Sequence, residues 1–259
     1  MKKAFSLVEL SITLMVIGII IAFVSGGRVL INNSLIHKQI TQFLEFKRAT
    51  QIFEITYDAI PGDFGQATSY FTGDNIVDGN QNGFINGVDG ARRYDDRGVS
   101  GEKIHLFRHL SLAGLLREDY KANNLEKGVD IPVTILNSQG GILSASYLRP
   151  NVFGTDANRG TYTTSEIGGM HIYLVIAFDL DGSRPAGTSA NKLSAGTDKR
   201  IFNGKDLYAI DIKIDDGLPA TGDLMAYRTG CSDDDYVEYN LNNDIDQCYA
   251  MYRLKNLRP

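Results

Sequence analysis

MKKAFSLVELSITLMVIGIIIAFV occupies residues 1–24, and its reading decides how the rest of the chain is understood. After the basic tetrapeptide Met1-Lys2-Lys3-Ala4, the twenty residues from Phe5 to Val24 are apolar except for Ser6, Glu9, Ser11, Thr13 and Gly18. A helix of roughly twenty apolar residues is what crossing a bilayer requires. A cleaved secretory signal has a shorter apolar core followed by small residues. Ser25-Gly26-Gly27 offers such residues, so length alone leaves that reading open. Glu9 decides against it. A carboxylate within the span costs about 2.5 to 3.5 kcal/mol on insertion, is kept for function and calls for a partner. Lys2 and Lys3 place the N-terminus on the cytoplasmic side and the chain beyond the span outside.

Lys2-Lys3-Ala4-Phe5-Ser6-Leu7-Val8-Glu9-Leu10 resembles the class III leader of type IV prepilins and type II secretion pseudopilins. The resemblance implies that a prepilin peptidase cuts between Ala4 and Phe5 and methylates the new amine of Phe5. It also implies that Glu9, then the fifth residue, neutralises the N-terminal amine of a neighbouring subunit. Opposite charges in a low-dielectric helix bundle attract strongly when paired and are costly apart. The implied partners are the peptidase, other pilin or pseudopilin subunits and an inner-membrane assembly platform. Ala4 stands where the family usually has glycine; alanine is small enough for the same pocket, so slower processing is the largest expected effect. Removal of Lys2 and Lys3 takes the formal charge from −5 to −7.

Residues 28–58 contain no proline, and Leu30, Ile31, Leu35, Ile36, Ile40, Phe43, Leu44, Phe53 and Tyr57 recur at helical spacings, with Lys38, Gln42, Glu45 and Arg48 on other faces. Pro61-Gly62 stops the helix. Unbroken from residue 5 to 58, it would be about 80 Å long. Gly26-Gly27 is its weak point. The expected organisation is a cleaved leader at 1–4, a transmembrane half of the helix at 5–27, an amphipathic half at 28–60 and an exported globular domain at 61–259. The expected fold class is α+β and pilin-like, with the long helix packed on an antiparallel sheet with extended loops. Residues 101–117 suit a short amphipathic helix. Segments 129–136, 142–148, 170–179, 223–228 and 248–254 read as strands. Segment 205–215 fits helix or strand equally, and 182–204 reads as a surface loop.

Three further segments resemble stretches that recur in long prepilin-like proteins. They are Tyr57-Asp58-Ala59-Ile60-Pro61-Gly62-Asp63, His109-Leu110-Ser111-Leu112-Ala113-Gly114-Leu115, and Ile210-Asp211-Ile212-Lys213-Ile214-Asp215-Asp216-Gly217-Leu218-Pro219. They extend the resemblance over most of the chain and do not identify a particular filament system.

At 43% hydrophobic residues over 259 positions, the chain can bury one sizeable core. The net charge of −5, with carboxylates spread through the C-terminal two thirds, leaves no basic stripe for nucleic acid as the main partner. Cys231 and Cys248 are the only cysteines. They read either as a disulfide formed in an oxidising compartment or as two buried thiols.

Asp78-Gly79-Asn80-Gln81-Asn82-Gly83-Phe84-Ile85-Asn86-Gly87-Val88-Asp89 fits the twelve-residue calcium loop. Side-chain oxygens of Asp78, Asn80, Asn82, Asn86 and Asp89 would surround a Ca2+ ion, with the carbonyl of Phe84 and the sharp turn at Gly83. Asp89 replaces the usual glutamate, so affinity would be weak; a Gly/Asn turn without an ion is the alternative. Asp179, Asp181 and Asp206 form a second acidic group, read as a solvated turn before a metal site. His105 and His109 stand four apart, too few ligands for zinc, and read as packed or exposed histidines. Asp233-Asp234-Asp235 reads as a solvated charge run.

There is no G-x-S-x-G, H-E-x-x-H, phosphate-binding glycine loop or C-x-x-C, and no enzyme activity is expected. The expected function is that of a structural subunit, major or minor, of a type IV pilus-like or pseudopilus filament. Such a subunit passes once through the inner membrane, N-terminus cytoplasmic and domain periplasmic, before entering the filament. The alternative is a membrane-anchored periplasmic binding domain, stabilised by calcium, that forms no filament.

Overall fold

The computed structural model describes residues 7–85, 102–123, 126–138, 140–147, 170–177, 201–227, 231–232, 237–242 and 248–257. One helix dominates: α1, Leu7–Tyr57, runs for 51 residues, about 77 Å at 1.5 Å per residue. Gly26-Gly27 does not interrupt it. It ends where Asp58 turns into the left-handed region at φ 49°, three residues before Pro61, in keeping with the rule that helices stop short of a proline.

The buried stripe of α1 is Ile36, Ile40, Phe43, Phe46, Ala49 and Phe53, steps of three and four that hold one face towards the domain. Leu30, Ile31 and Leu44, expected in the same stripe, are exposed, and Phe46 and Ala49 take part instead. Among the described residues the buried core of the domain begins at Ile36, with a polar contact from Asn32 to Asp206 one turn earlier, and the large apolar residues before that point are exposed.

The stripe lies against an antiparallel sheet of four strands in the order β1-β2-β4-β3, formed by β1 (Gly141–Tyr147), β2 (Met170–Ala177), β3 (Leu224–Tyr227) and β4 (Tyr249–Leu257). Ile142 faces Ile176, Leu174 faces Tyr252 and Ala226 faces Ala250 across the ladders. These residues are all buried. Phe43 of α1 stacks on Tyr252 with ring centroids 5.3 Å apart. Lys47 of α1 and Arg253 of β4 each reach Asp223 at 2.6 Å.

α3 (Glu102–Leu112) lies towards β1, and α4 (Gly204–Ile214) towards β3. The ambiguous segment 205–215 is thus helical. Asn203 caps it, its side chain accepting from Asp206 N at 2.8 Å, and Leu207, Ile210 and Asp211 form its buried face. α3 is a correction to the amphipathic reading, since every residue from Glu102 to Leu110 is buried. The loop after α1 covers its polar side, and the terminal nitrogens of Arg108 donate to Asp119 at 2.5 Å and to the carbonyls of Asp74 at 2.8 Å and Tyr120 at 3.1 Å.

Segment 129–136 is not a strand. It makes only isolated bridges, Lys127 with Ile131 and Val133 with Gly141. Pro132 cannot donate to a ladder, and the N–H groups of Ile135 and Leu136 donate to the buried side chain of Gln39 on α1, at 2.7 and 3.3 Å. A single helical turn, α2 (Ala67–Tyr70), was not expected from the sequence. The proposed loop at 182–204 lies outside the described residues up to 200.

Candidate functional site

Every large apolar residue of α1 from Leu7 to Val24 is exposed. The polar residues among them bond within the helix: Ser11 Oγ donates to the carbonyl of Val8 and Thr13 Oγ1 to that of Leu10, each at 2.8 Å. Hydroxyls satisfied in this way are tolerated in hydrocarbon. Glu9 sits in the first turn of this surface, where the positive end of the helix dipole favours a carboxylate. α1 is long and apolar enough to cross a membrane by length and composition. An apolar surface of this extent marks contact with lipid or with other protein. Ala4 and Phe5 lie outside the described residues.

Beyond the stalk, two of the segments quoted above meet. Gly62 N donates to Nδ1 of His109 at 3.0 Å, which leaves the proton on Nε2, 3.1 Å from the carbonyl of Val77. Gly62 stands at φ 97°, and a Cβ there would lie 2.6 Å from the carbonyl oxygen of Glu102, so glycine alone fits. Both His109 nitrogens are therefore engaged by backbone, and neither faces a metal. Its ring stacks with Phe53 and lies 6.0 Å from His105.

Burial, followed by the charge of His105, lowers His109 to a pKa of about 4. Folded His109 therefore binds fewer protons than the unfolded chain between about pH 4 and 6.5. Its contribution is complete above pH 6.5 and is lost as pH falls towards 4. Asp211, pushed up to about 7 chiefly by burial, acts with the opposite sign, so His109 is read by difference. The stability advantage of the native chain over His109→Gln should shrink by about 3 kcal/mol across that window, measured by urea unfolding at each pH. A gap that stays constant would mean the ring is not held neutral.

The expected calcium loop is described as far as Ile85, and Asn86 and Asp89 lie outside the described residues. Asp78 turns its carboxylate to α2, accepting from Thr68 N at 2.8 Å and Thr68 Oγ1 at 2.9 Å. Asn80 Oδ1 accepts from Asn82 N at 3.0 Å, and Asn82 Oδ1 from Phe84 N at 2.8 Å. Gly83 takes a positive φ of 81°, as a sharp turn there requires. The loop closes on a residue from outside the motif. Asp63 is buried and accepts from Gly83 N at 2.7 Å and Asn82 N at 3.2 Å. Burial raises its pKa against the pull of those N–H groups and of its hydrogen bond to Glu102. Glu102 in turn accepts from Asn80 N at 3.0 Å. No spacing rule links Asp63 or Glu102 to the loop, which is why the sequence does not reveal them.

Asp206 lies in the first turn of α4 and accepts from Asn203 and from Asn32 of α1, both at 2.9 Å. Asp179, Asp181 and Asp233-Asp234-Asp235 lie outside the described residues. Cys231 and Cys248 form a disulfide, with Cα atoms 5.1 Å apart. The bond ties the segment after β3 to the residue preceding β4.

Fold and surface together define a class: an α+β domain with a disulfide, carried on one helix able to cross a membrane. Comparison with family models, with characterised proteins and with solved structures finds no match to this chain.

Proposed function

We propose that the chain is a structural, non-enzymatic subunit, major or minor, of a filament of the type IV pilus or type II secretion pseudopilus kind. The observation that supports this most is the continuity of α1. One unbroken helix contributes to the domain core from Ile36 onwards and exposes every large apolar residue from Leu7 to Val24. Such a helix needs lipid around it before assembly and neighbouring helices after it.

On this reading prepilin peptidase cuts between Ala4 and Phe5 and methylates Phe5. The inner-membrane platform then moves the subunit from lipid, with its domain periplasmic, into the filament. Glu9 there pairs with the amine of a neighbour's Phe5, since a carboxylate and an amine in such a bundle are each costly when left unpaired. At the 78–89 loop the proposal is a weak Ca2+ site, in which Asp78 would share its carboxylate with Thr68.

The test is mass spectrometry of the N-terminus from sheared surface filaments. Methylated Phe5 is the expected first residue, and retention of Met1 to Ala4 in the native host overturns the proposal. Glu9→Ala should be processed and accumulate in the membrane while its recovery in filaments falls at least tenfold. Unchanged localisation and behaviour of Glu9→Ala would favour the membrane-anchored periplasmic domain instead.

A further inference from the structure

At the end of α4 the chain leaves the helix and turns through Asp215-Asp216-Gly217 towards β3. Asp211 and Asp215, four apart, share one helix face. Asp215 N still bonds to the carbonyl of Asp211 at 2.7 Å while its own backbone departs from the helix at φ −146°, ψ −133°. The turn brings Asp216 back, so that one oxygen from each of Asp211, Asp215 and Asp216 lies within 4.8 Å of the others.

The three are not equivalent. Asp215 and Asp216 are exposed, and their carboxylates are fixed by the following loop. Asp215 accepts from Asp223 N and, at 3.4 Å, from Leu224 N. Asp216 accepts from Leu218 N at 2.9 Å and from the Thr221 hydroxyl. Gly222, at φ 76°, makes room for Asp215, since a Cβ there would fall 1.6 Å from its Oδ2. Asp211 is fully buried. Its Oδ2 accepts from the Tyr239 hydroxyl at 2.8 Å; its Oδ1, equally buried, makes no hydrogen bond of ordinary geometry, and the Gly217 N–H is the one backbone donor acting on the carboxylate.

A buried carboxylate with one such oxygen, beside two more carboxylates, is a costly arrangement unless a counter-charge is supplied. The chain supplies none among the described residues. The nearby cations Lys47 and Arg253 are both held by Asp223, and no lysine, arginine or histidine pairs with Asp211, Asp215 or Asp216.

We propose that Asp211, Asp215 and Asp216 bind a divalent cation of the calcium type. Donors that are all oxygen, mostly carboxylate, and open to solvent on one side suit a hard ion that completes its shell with water. The ion would give the buried Asp211 carboxylate its missing counter-charge and pin the α4–β3 turn to the segment carrying Tyr239. Burial, with the charges of Asp216 and Asp215 adding to it, pushes Asp211 up to about 7, as a carboxyl without a counter-charge must be. This site is separate from the 78–89 loop and does not depend on the filament reading.

The test uses the full chain in detergent micelles, stripped with a chelator. Tyr239, on Asp211, and Tyr208, whose ring is 5.8 Å from that of Tyr239, are placed to sensitise Tb3+ luminescence. The expected results are sensitised emission that Ca2+ displaces, and an unfolding temperature that rises with Ca2+. Asp216→Asn, on an exposed side chain, should weaken Ca2+ binding about tenfold or more, and Asp211→Asn should abolish the sensitised emission. Should Asp211→Asn fail to fold, Asp215→Asn gives the second reading. Asp78→Asn should leave the sensitised emission intact. Absence of any Ca2+ effect overturns the proposal, as does binding lost in Asp78→Asn but unchanged in Asp216→Asn.

Discussion

Phe53→Ala is expected to destabilise the folded domain by about 3 to 5 kcal/mol, the range for removing a fully buried phenylalanine. Phe53 has no exposed surface. Its ring centroid lies 4.5 Å from that of Tyr57, 5.8 Å from Phe64 and 6.3 Å from both Phe71 and His109. The void left by its removal would be lined by these rings. His109 is tied to Gly62 and Val77, Phe64 also packs on Tyr57 and Tyr70, and Phe71 on Tyr57. Walls braced in this way collapse poorly, which places the cost towards the upper part of the range. Urea unfolding of the purified chain measures it. Ile55→Ala, two residues away on the same helix but 86% exposed, should change stability by less than about 0.5 kcal/mol. Similar losses at the two positions would mean that the aromatic cluster is not the packed centre described here.

Loss of the disulfide should cost about 3 kcal/mol, whether by reduction or in a Cys231→Ala, Cys248→Ala double variant. With a sequence separation of 17, loop-closure entropy gives this figure for the unfolded chain. The bond also sits where β4 begins. Cys248 N donates to the carbonyl of Phe202 and Asn240 N to that of Cys231, both at 2.8 Å. β4 is bonded on both edges, to β2 and to β3, so freeing its start loosens the middle of the sheet. Paired unfolding curves with and without reductant test this. A difference below about 1 kcal/mol would show that native packing alone holds the start of β4 in place.

α1 was the most legible element because its evidence is local. Twenty apolar residues, then a run without proline repeating at helical spacing, identify a long helix from any part of it. Strands β1 to β4 were found for a similar reason, as short β-branched or aromatic runs between turns. Segment 129–136 had the same composition and was misread, because Pro132 and the side chain of Gln39, 96 residues from Ile135, replace the ladder. The burial of α3 on all sides was hidden as well. Arg108 and Glu102 look solvent-facing until Asp119, Asp74 and the 78–85 loop fold over them.

The sites divide in the same way. Asp78, Asn80, Asn82 and Gly83 were legible as a loop motif, yet the fold directs Asp78 to Thr68 and introduces Asp63 from outside. Asp211, Asp215 and Asp216 stood in the sequence only within the quoted segment 210–219, and their convergence depends on where α4 ends.

By itself, then, the sequence determined the long apolar helix with Glu9 near its start and the α+β composition after it, and it offered Cys231 and Cys248 as a disulfide or as two thiols. These follow from patterns spanning a few helical turns or from residue chemistry. Only the tertiary structure decided that the buried core on α1 begins at Ile36, that β4 lies between β2 and β3, and that Asp211 is buried beside two further carboxylates. Each of these depends on contacts between residues distant along the chain or on burial, and neither is written in local spacing.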